Sequence, residues 1–402
     1  MLVLEGLKVV DLSNYVPGAL CTMILADFGA EVIKIEPAKP FPFENMGYSS
    51  AGEEKRKDAA YFALNRNKKS LAVDLKSEAG KDIFYRLARR ADVIIEGYRP
   101  GVVKKLGIDY ETIRRMNSRI IYCSLSGYGQ DGPYSLHPGH DINYISIAGV
   151  LGVIGSVDGP PTIPLNLIAD FAGASLYGTI AILLACIARE RTGSGQYIDH
   201  AYLDGALHLM TYFTHRYFLD GTTMARGESW FAGVYPYYAV YRTKDDKYLS
   251  IGCLEPEFWQ NLCQALGRED YAVCAWTMDA TYKKPTEKHR EMFDFLKSAF
   301  LDRTRDEWFD MLAPRDIPVG KVYSMDEVFS DPQVISRKAL IEVEDPKLGK
   351  IRQVGVLPRL SKTPGSVRTL APLHGDHTDD ILRELGYGID EINNYHRKGI
   401  IG

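Results

Sequence analysis

The chain has 402 residues, 46% of them hydrophobic and 25% charged, with a formal net charge of −4. That length exceeds one compact core, so two domains are expected. The near-neutral charge argues against a dedicated nucleic-acid surface while leaving room for a local basic groove that holds a phosphorylated ligand. No apolar run reaches the roughly 18 residues of a membrane span, and "MLVLEGLKVVDLS" lacks the pattern of a secretory signal. Neither a membrane nor a nucleic-acid partner is therefore expected. The cysteines Cys21, Cys123, Cys186, Cys253, Cys263 and Cys274 form no CxxC pair. They read as free thiols of a reducing, cytoplasmic compartment, with no metal site.

From the N-terminus, "LKVVDLS" (7–13) reads as a strand, "ALCTMILADFGA" (19–30) as a helix ending in Gly29, and "EVIKIE" (31–36) as a second strand. A strand–helix–strand unit of this size marks a parallel sheet. The pattern recurs with a strand at 70–75, a helix at 77–91 opened by Ser77, and a strand at 92–98. A helix at 109–118 and a strand at 120–128 follow. A helix beginning at Asp170 runs through the apolar "SLYGTIAILLACIA" (175–188), which reads as buried, and closes near 191–202, where Gly193 and Gly195 turn into a short strand. The first domain boundary falls in the aromatic-rich "MTYFTHRYF" (210–218).

Beyond it, "GVYPYYAVYRTKDDKYLSIGCL" (233–254) reads as a hairpin turning at Asp245-Asp246, with helices at 256–267 and 285–301. Residues 305–322 read as a helix, a proline-broken turn and a strand, and 377–387 as a helix started by Thr378. The expected fold is α/β, a large Rossmann-like open parallel-sheet domain plus a smaller α/β domain. Residues 1–209 would form the first part of the large domain, 210–328 the linker and small domain, and 329–402 a return to the large domain.

Two stretches set ionisable groups at the mouths of apolar elements. "PGHDINYISIAGV" (138–150) places His140, Asp141 and Asn143 where a helix begins, behind Gly139, whose missing side chain permits close approach by a ligand. Unpaired N–H groups and a partial positive charge at such a terminus suit a developing oxyanion. "PLNLIADFAGAS" (164–175) places Asp170 at another helix start, where the helix field favours the ionised carboxylate and burial opposes it. An imidazole and a carboxyl group facing one carbon from opposite sides make a two-base device for proton exchange. Plainer roles compete. Asp141 also fits an N-cap and His140 a satisfied core histidine, whereas an unpartnered buried Asp170 would cost several kcal/mol. Glu255, in "IGCLEPEFW", equally fits a first-turn charge before Pro256. "EGYRPGVVKKLG" (96–107) carries Arg99, Lys104 and Lys105 after a strand end, where open α/β sheets bind ligands, and "LNRNKKS" (64–70) is a similar basic cluster. Both fit phosphate partners or a solvated face. "SGYGQDGP" (126–133) is not GxGxxG and is weak as a phosphate motif.

Taken together, the chain resembles the family III CoA-transferase (CaiB/BaiF) superfamily, and within it the α-methylacyl-CoA racemase branch. "LKVVDLSNYVPGALCTMILADFGAEVIKIE", "DVIIEGYRPGVVKKLGIDYE", "RTGSGQYIDHAYLDG" and "HTDDILRELGY" carry the superfamily resemblance. "GHDINY" followed by "PLNLIADF", with His140 and Asp170 thirty residues apart, carries the racemase-like part, completed by "GCLEPEFW". The resemblance implies that His140 and Asp170 are the proton-transfer bases, that Glu255 orients His140 from a partner subunit, and that Asp141 supports the site. It implies CoA contacts at Val73, Asp74, Leu75, Lys76, Gly97, Tyr98, Arg99, Lys105, Gly139, Ile142, Asn143 and Tyr144. It also implies an interlocked homodimer acting on an acyl-CoA, with no cofactor or metal, because the thioester itself acidifies the α-hydrogen. The chain departs from the racemase pattern at "FAGVYPYY" (231–238), expected to line the acyl pocket, at Pro37, which shifts one phosphate contact to Lys39, and in the length of residues 38–60.

Two functions follow. The first is exchange between the 2R and 2S forms of a 2-methyl-branched acyl-CoA. The second is CoA transfer with Asp170 as nucleophile, through an acyl-aspartyl anhydride. A transferase needs no base at position 140, so His140 favours the first. A non-catalytic acyl-CoA-binding protein would leave a buried Asp170 unexplained.

Overall fold

A computed structural model of the chain describes residues 1–40, 59–275, 285–345 and 349–402. It divides into two compact units. The first comprises Met1–Ala148, Pro164–Met210 and Arg337–Gly402, and the second Gly149–Ile163 and Thr211–Ser336. The expected boundaries after residues 209 and 328 compare with breaks after Met210 and Ser336, and residues 149–163 group with the second unit.

The first unit is built on strands β1 (Lys8–Leu12), β2 (Glu31–Glu36), β3 (Lys68–Ala72), β4 (Val93–Glu96), β5 (Ile121–Ser126) and β6 (Tyr197–Ala201). They form one parallel sheet in the order β3-β2-β1-β4-β5-β6. This is the doubly wound order, and its reversal between β1 and β4 opens a crevice beyond the strand C-termini. The connecting helices are α1 (Val16–Asp27), α2 (Ala59–Leu64), α3 (Glu78–Arg90), α4 (Val102–Leu106) and α5 (Tyr110–Arg114). Val10, Leu12 and Ile94 pack on one face against Ile83, Phe84 and Leu87 of α3. Val9, Val93 and Ile95 pack on the other against Leu25 and Ala26 of α1. Burial on both faces is why the central strands β1 and β4 carry consecutive apolar pairs, Val9-Val10 and Ile94-Ile95.

The basic cluster at 64–70 is ion-paired, with the half-exposed Lys69 reaching Glu31 at 2.7 Å and the other two cations buried. Arg66 pairs with Asp27 at 2.6 Å, both buried. Lys68 lies 3.3 Å from Asp11, whose carboxylate also accepts from the Thr22 hydroxyl at 2.6 Å. Burial drags the Lys68 ammonium down to about 8 in spite of Asp11. These two buried cations tie strand ends together beneath the surface. Most of the long 38–60 segment lies outside the described residues.

After β5 come α6 (Asp141–Ile147) and the short α7 (Val150–Val153), and then a π-helix (Leu167–Leu176) runs directly into α8 (Tyr177–Thr192). The chain returns through β6 to α9 (Tyr202–Leu209). The joined helix Leu167–Thr192 contains an 18-residue stretch with a mean hydropathy of 2.0, long and apolar enough to cross a membrane by length and composition. The expectation that no run reaches that length is thereby corrected, since Gly173, Ser175, Tyr177, Gly178 and Thr179 interrupt a count of apolar residues but barely lower the average over 171–188. The expectation of a buried helix is corrected too. Ile182 and Ala185 face the core, but Leu176, Ile180, Leu184 and Ile187 form an exposed stripe along the other side.

The second unit carries the antiparallel strands β7 (Tyr238–Arg242), β8 (Tyr248–Gly252) and β9 (Val319–Val322), with Asp246 at φ 60° in the β7–β8 turn. Helices Pro256–Ala265, Glu287–Ala299 and Arg305–Leu312 follow the expected pattern. Within "FAGVYPYY", Tyr235 and Tyr237 stack at 5.1 Å inside the unit's core, and Phe231 alone among its aromatic rings is exposed. In the C-terminal return, an unanticipated hairpin of β10 (Leu340–Asp345) and β11 (Gly349–Val354) precedes helices Thr378–Glu384 and Ile389–Arg397. Those helices contribute Ile381, Leu382 and Ile392 to the α3 side of the sheet.

Candidate active site

His140 is the N-cap of α6 with extended backbone (φ −131°, ψ 176°), and its N–H donates to the Asn143 Oδ1 at 3.0 Å. This occupies the N-cap's own donor and leaves the exposed imidazole outside the helix. Asp141 follows, buried, and caps a different helix from its own. Its Oδ2 accepts from the backbone N–H of Ala169 at 2.7 Å and of Asp170 at 2.9 Å, in the first turn of the π-helix. One carboxylate thus welds two helix starts together, which brings His140 and Asp170 into one locality. Asp141 Oδ1 is buried with no hydrogen-bond partner among the described residues.

Asp170 is half-buried, and burial is the largest influence on it, lifting its carboxyl above the ordinary range. The Asn166 side-chain amide donates to Asp170 Oδ2 at 3.2 Å and pulls the other way. The negative charge of Asp141 lifts it further, and the imidazole of His140 is close enough to lower it when charged. Asn166 was not singled out in the sequence. Its position four residues before Asp170 on one helical face is the signal that would have found it.

Gly139 also has a packing role that the sequence did not reveal. A Cβ there would lie 2.7 Å from the Tyr144 ring, and one at Gly127 would lie 2.4 Å from it. The two glycines make room for Tyr144. Tyr144 also meets the rings of Tyr128 at 5.0 Å and Tyr202 at 5.4 Å, both edge-on. Burial pushes its hydroxyl pKa up, Asp170 adds to this, and the nearby Arg99 opposes it. Arg99, at the switch-point end of β4, therefore shares the neighbourhood of Tyr144, Asp141 and Asp170. Sequence reading missed Tyr128 and Tyr202 because only packing gathers them.

The remaining residues are spread along the crevice. Lys76, Lys105, Ile142 and Asn143 are exposed, and Gly97 and Tyr98 half-buried. Val73 and Leu75 belong to the core. The Val73 N–H goes to Glu36 O at 2.8 Å and the Asp74 N–H to Ile400 O at 2.8 Å, so Val73 and Leu75 can offer a ligand their backbone carbonyls and not their side chains. Glu255 lies in the second unit, exposed at the N-cap of helix Pro256–Ala265.

The model for CoA-transferase family III matches residues 4–378. The chain is 34% identical over 400 residues to the alpha-methylacyl-CoA racemase of Mus musculus, covering 100% of this chain and 98% of that one. It is 33% identical to a succinyl-CoA–D-citramalate CoA-transferase of Chloroflexus aurantiacus, covering 99% and 98% respectively. A crystal structure of a CaiB/BaiF family protein from Brucella suis superposes with a TM-score of 0.81 at 28% identity, covering 96% of this chain and 99% of that one. With the doubly wound sheet and the family-wide match, the chain belongs to CoA-transferase family III.

Proposed function

We propose that the protein interconverts the 2R and 2S forms of a 2-methyl-branched acyl-CoA by α-proton exchange. The observation that carries this reading is Asp141. By accepting the N–H groups at the head of the π-helix, it joins His140 and Asp170 at the mouths of two helices. The thioester carbonyl acidifies the C2 hydrogen. One of the two bases removes it, the negative charge moves to the thioester oxygen as an enolate, and the other base returns a proton to the opposite face. Burial of Asp170 keeps its proton affinity above that of a surface carboxylate, which suits a group that must both take and give a proton. In the reverse direction the two residues exchange roles.

CoA would lie along the strand C-termini, its phosphates near Arg99, Lys105, Lys76 and Lys39, with Gly97, Tyr98 and the α6 start from Gly139 to Tyr144 along its path. The reaction needs no cofactor beyond the CoA of the substrate. The reading includes a cytoplasmic, interlocked homodimer in which Glu255 of one subunit orients His140 of the other. The exposed stripe of Leu176, Ile180, Leu184 and Ile187 supports self-association.

The transferase relatives support a second reading, in which Asp170 attacks the thioester carbonyl and expels CoA thiolate to give an acyl-aspartyl anhydride. The thiolate attacks the aspartyl carbonyl to free the donor acid and leave aspartyl-CoA, and an acceptor carboxylate repeats the two steps in reverse to leave as the new acyl-CoA. Incubation with (2S)-2-methylacyl-CoA in D₂O, with and without a free carboxylic acid acceptor, separates the two. Deuterium at C2 without acceptor is the racemase outcome, and CoA movement only with acceptor is the transferase outcome. His140→Ala should keep the fold and lower exchange at least a hundredfold. Wild-type exchange in that variant overturns the two-base assignment.

A further inference from the structure

Asp170 sits in π-helical backbone, and the contacts that hold this winding come from β6 and α9. His200 Nε2 lies 2.8 Å from the Gly173 carbonyl oxygen. A carbonyl only accepts, so Nε2 carries the proton in this bond. The Ser175 hydroxyl donates to the carbonyl of Asp170 itself at 2.8 Å. From α9, Gly205 presses backbone to backbone on Gly173, where a Cβ would meet the Gly173 oxygen at 2.1 Å. π-Helical turns are uncommon and tend to mark functional sites. Slipping one residue into α-helical winding would rotate the residues on the N-terminal side by roughly 100°, swinging the Asp170 carboxyl off its present line.

We propose that His200 is a positioning residue, which holds the Gly173 carbonyl and so keeps the π-helical winding that aims the Asp170 carboxyl at the substrate. This rests on the reading of Asp170 as a proton-transfer base. Nothing about His200 touches the reacting atoms. It acts through the backbone, and a side chain of similar reach with an N–H donor should replace it.

The test compares His200→Leu, His200→Gln and Asp170→Asn with the wild type, following deuterium entry at C2 of 2-methylacyl-CoA across pH, with thermal midpoints as a control for folding. The leucine variant should lose at least tenfold in kcat with KM within about twofold. The acid limb of its kcat/KM profile should move to lower pH, because a mis-aimed Asp170 meets water and loses the burial that raises its pKa. Glutamine should restore both. Wild-type kcat in His200→Leu overturns the proposal, as do equal losses in the leucine and glutamine variants or a loss that follows the thermal midpoint with the limb unmoved. Should the leucine variant fail to fold, His200→Met against His200→Gln carries the same comparison, and equal kcat in the two overturns it. Full exchange in Asp170→Asn removes the underlying reading instead, whatever His200 does.

Discussion

Asn166 makes a single hydrogen bond to the Asp170 carboxylate, and its effect has a definite sign. A donor to the ionised form lowers the pKa, so its removal lets burial act unopposed. Asn166→Leu should move the acid limb of kcat/KM to higher pH, the reverse of the shift expected for His200→Leu. An unmoved limb would mean that Asp170 does not govern it. Glu96, at the end of β4, is a second buried carboxyl, pushed up to about 7 chiefly by burial although the Tyr98 N–H donates to it at 2.8 Å. Its folded pKa exceeds the ordinary 4.5, so the folded state keeps a proton that the unfolded chain gives up. That contribution is complete below about pH 4.5 and lost as pH rises through 7. Glu96→Gln keeps an acceptor for Tyr98 and removes the charge. It should gain on the order of 2 kcal/mol over the wild type at pH 8 and little at pH 5, read by denaturant unfolding. A residue's neighbours thus decide its chemistry. His140, Asp141 and Asp170 could be picked out by type and setting, but the partner of Asp141 across the helix gap could not.

At the scale of elements, legibility followed burial. β1, β4 and β5 were readable because a parallel strand covered on both faces carries consecutive apolar residues, and α3 because Ser77 accepts from the Gly80 N–H at its start. The π-helix was not readable. The residues from Leu167 to Leu176 suit α-helical winding as well, and the choice rests on His200, Ser175 and the Gly173–Gly205 contact. The hairpin β10–β11 escaped notice although Ile341 and Val343 alternate with Glu342 and Glu344, because each strand has only six residues and too few apolar ones to stand out. The Gly205 contact gives a direct prediction. Gly205→Ala forces a methyl into backbone, so it should cost about 1–3 kcal/mol in stability and reduce exchange together with it, measured by thermal unfolding and deuterium entry. A stable, fully active variant would show that α9 does not set the winding of its neighbour.

On the scale of the whole molecule, the long helix Leu167–Thr192 buries one side and bares the other. Replacing Ile180 and Leu184 by glutamate leaves the sheet-facing Ile182 and Ala185 in place. In the proposed dimer it should shift the sedimenting species from dimer to monomer and abolish exchange, because Glu255 would no longer reach the other subunit. A dimeric, active double variant would place the interface elsewhere. By itself the sequence determined the α/β class, the parallel sheet and the residue types at the two helix mouths, since these depend on local periodicity, capping chemistry and the run of apolar side chains. Only the tertiary structure decided that Asp141 caps the helix of Asp170, that Gly139 makes room for Tyr144, and that Arg66 and Lys68 of the cluster at 64–70 are locked inside. Each of these joins groups distant along the chain, and no local pattern encodes which partner a buried charge or a bare glycine will meet once the layers close.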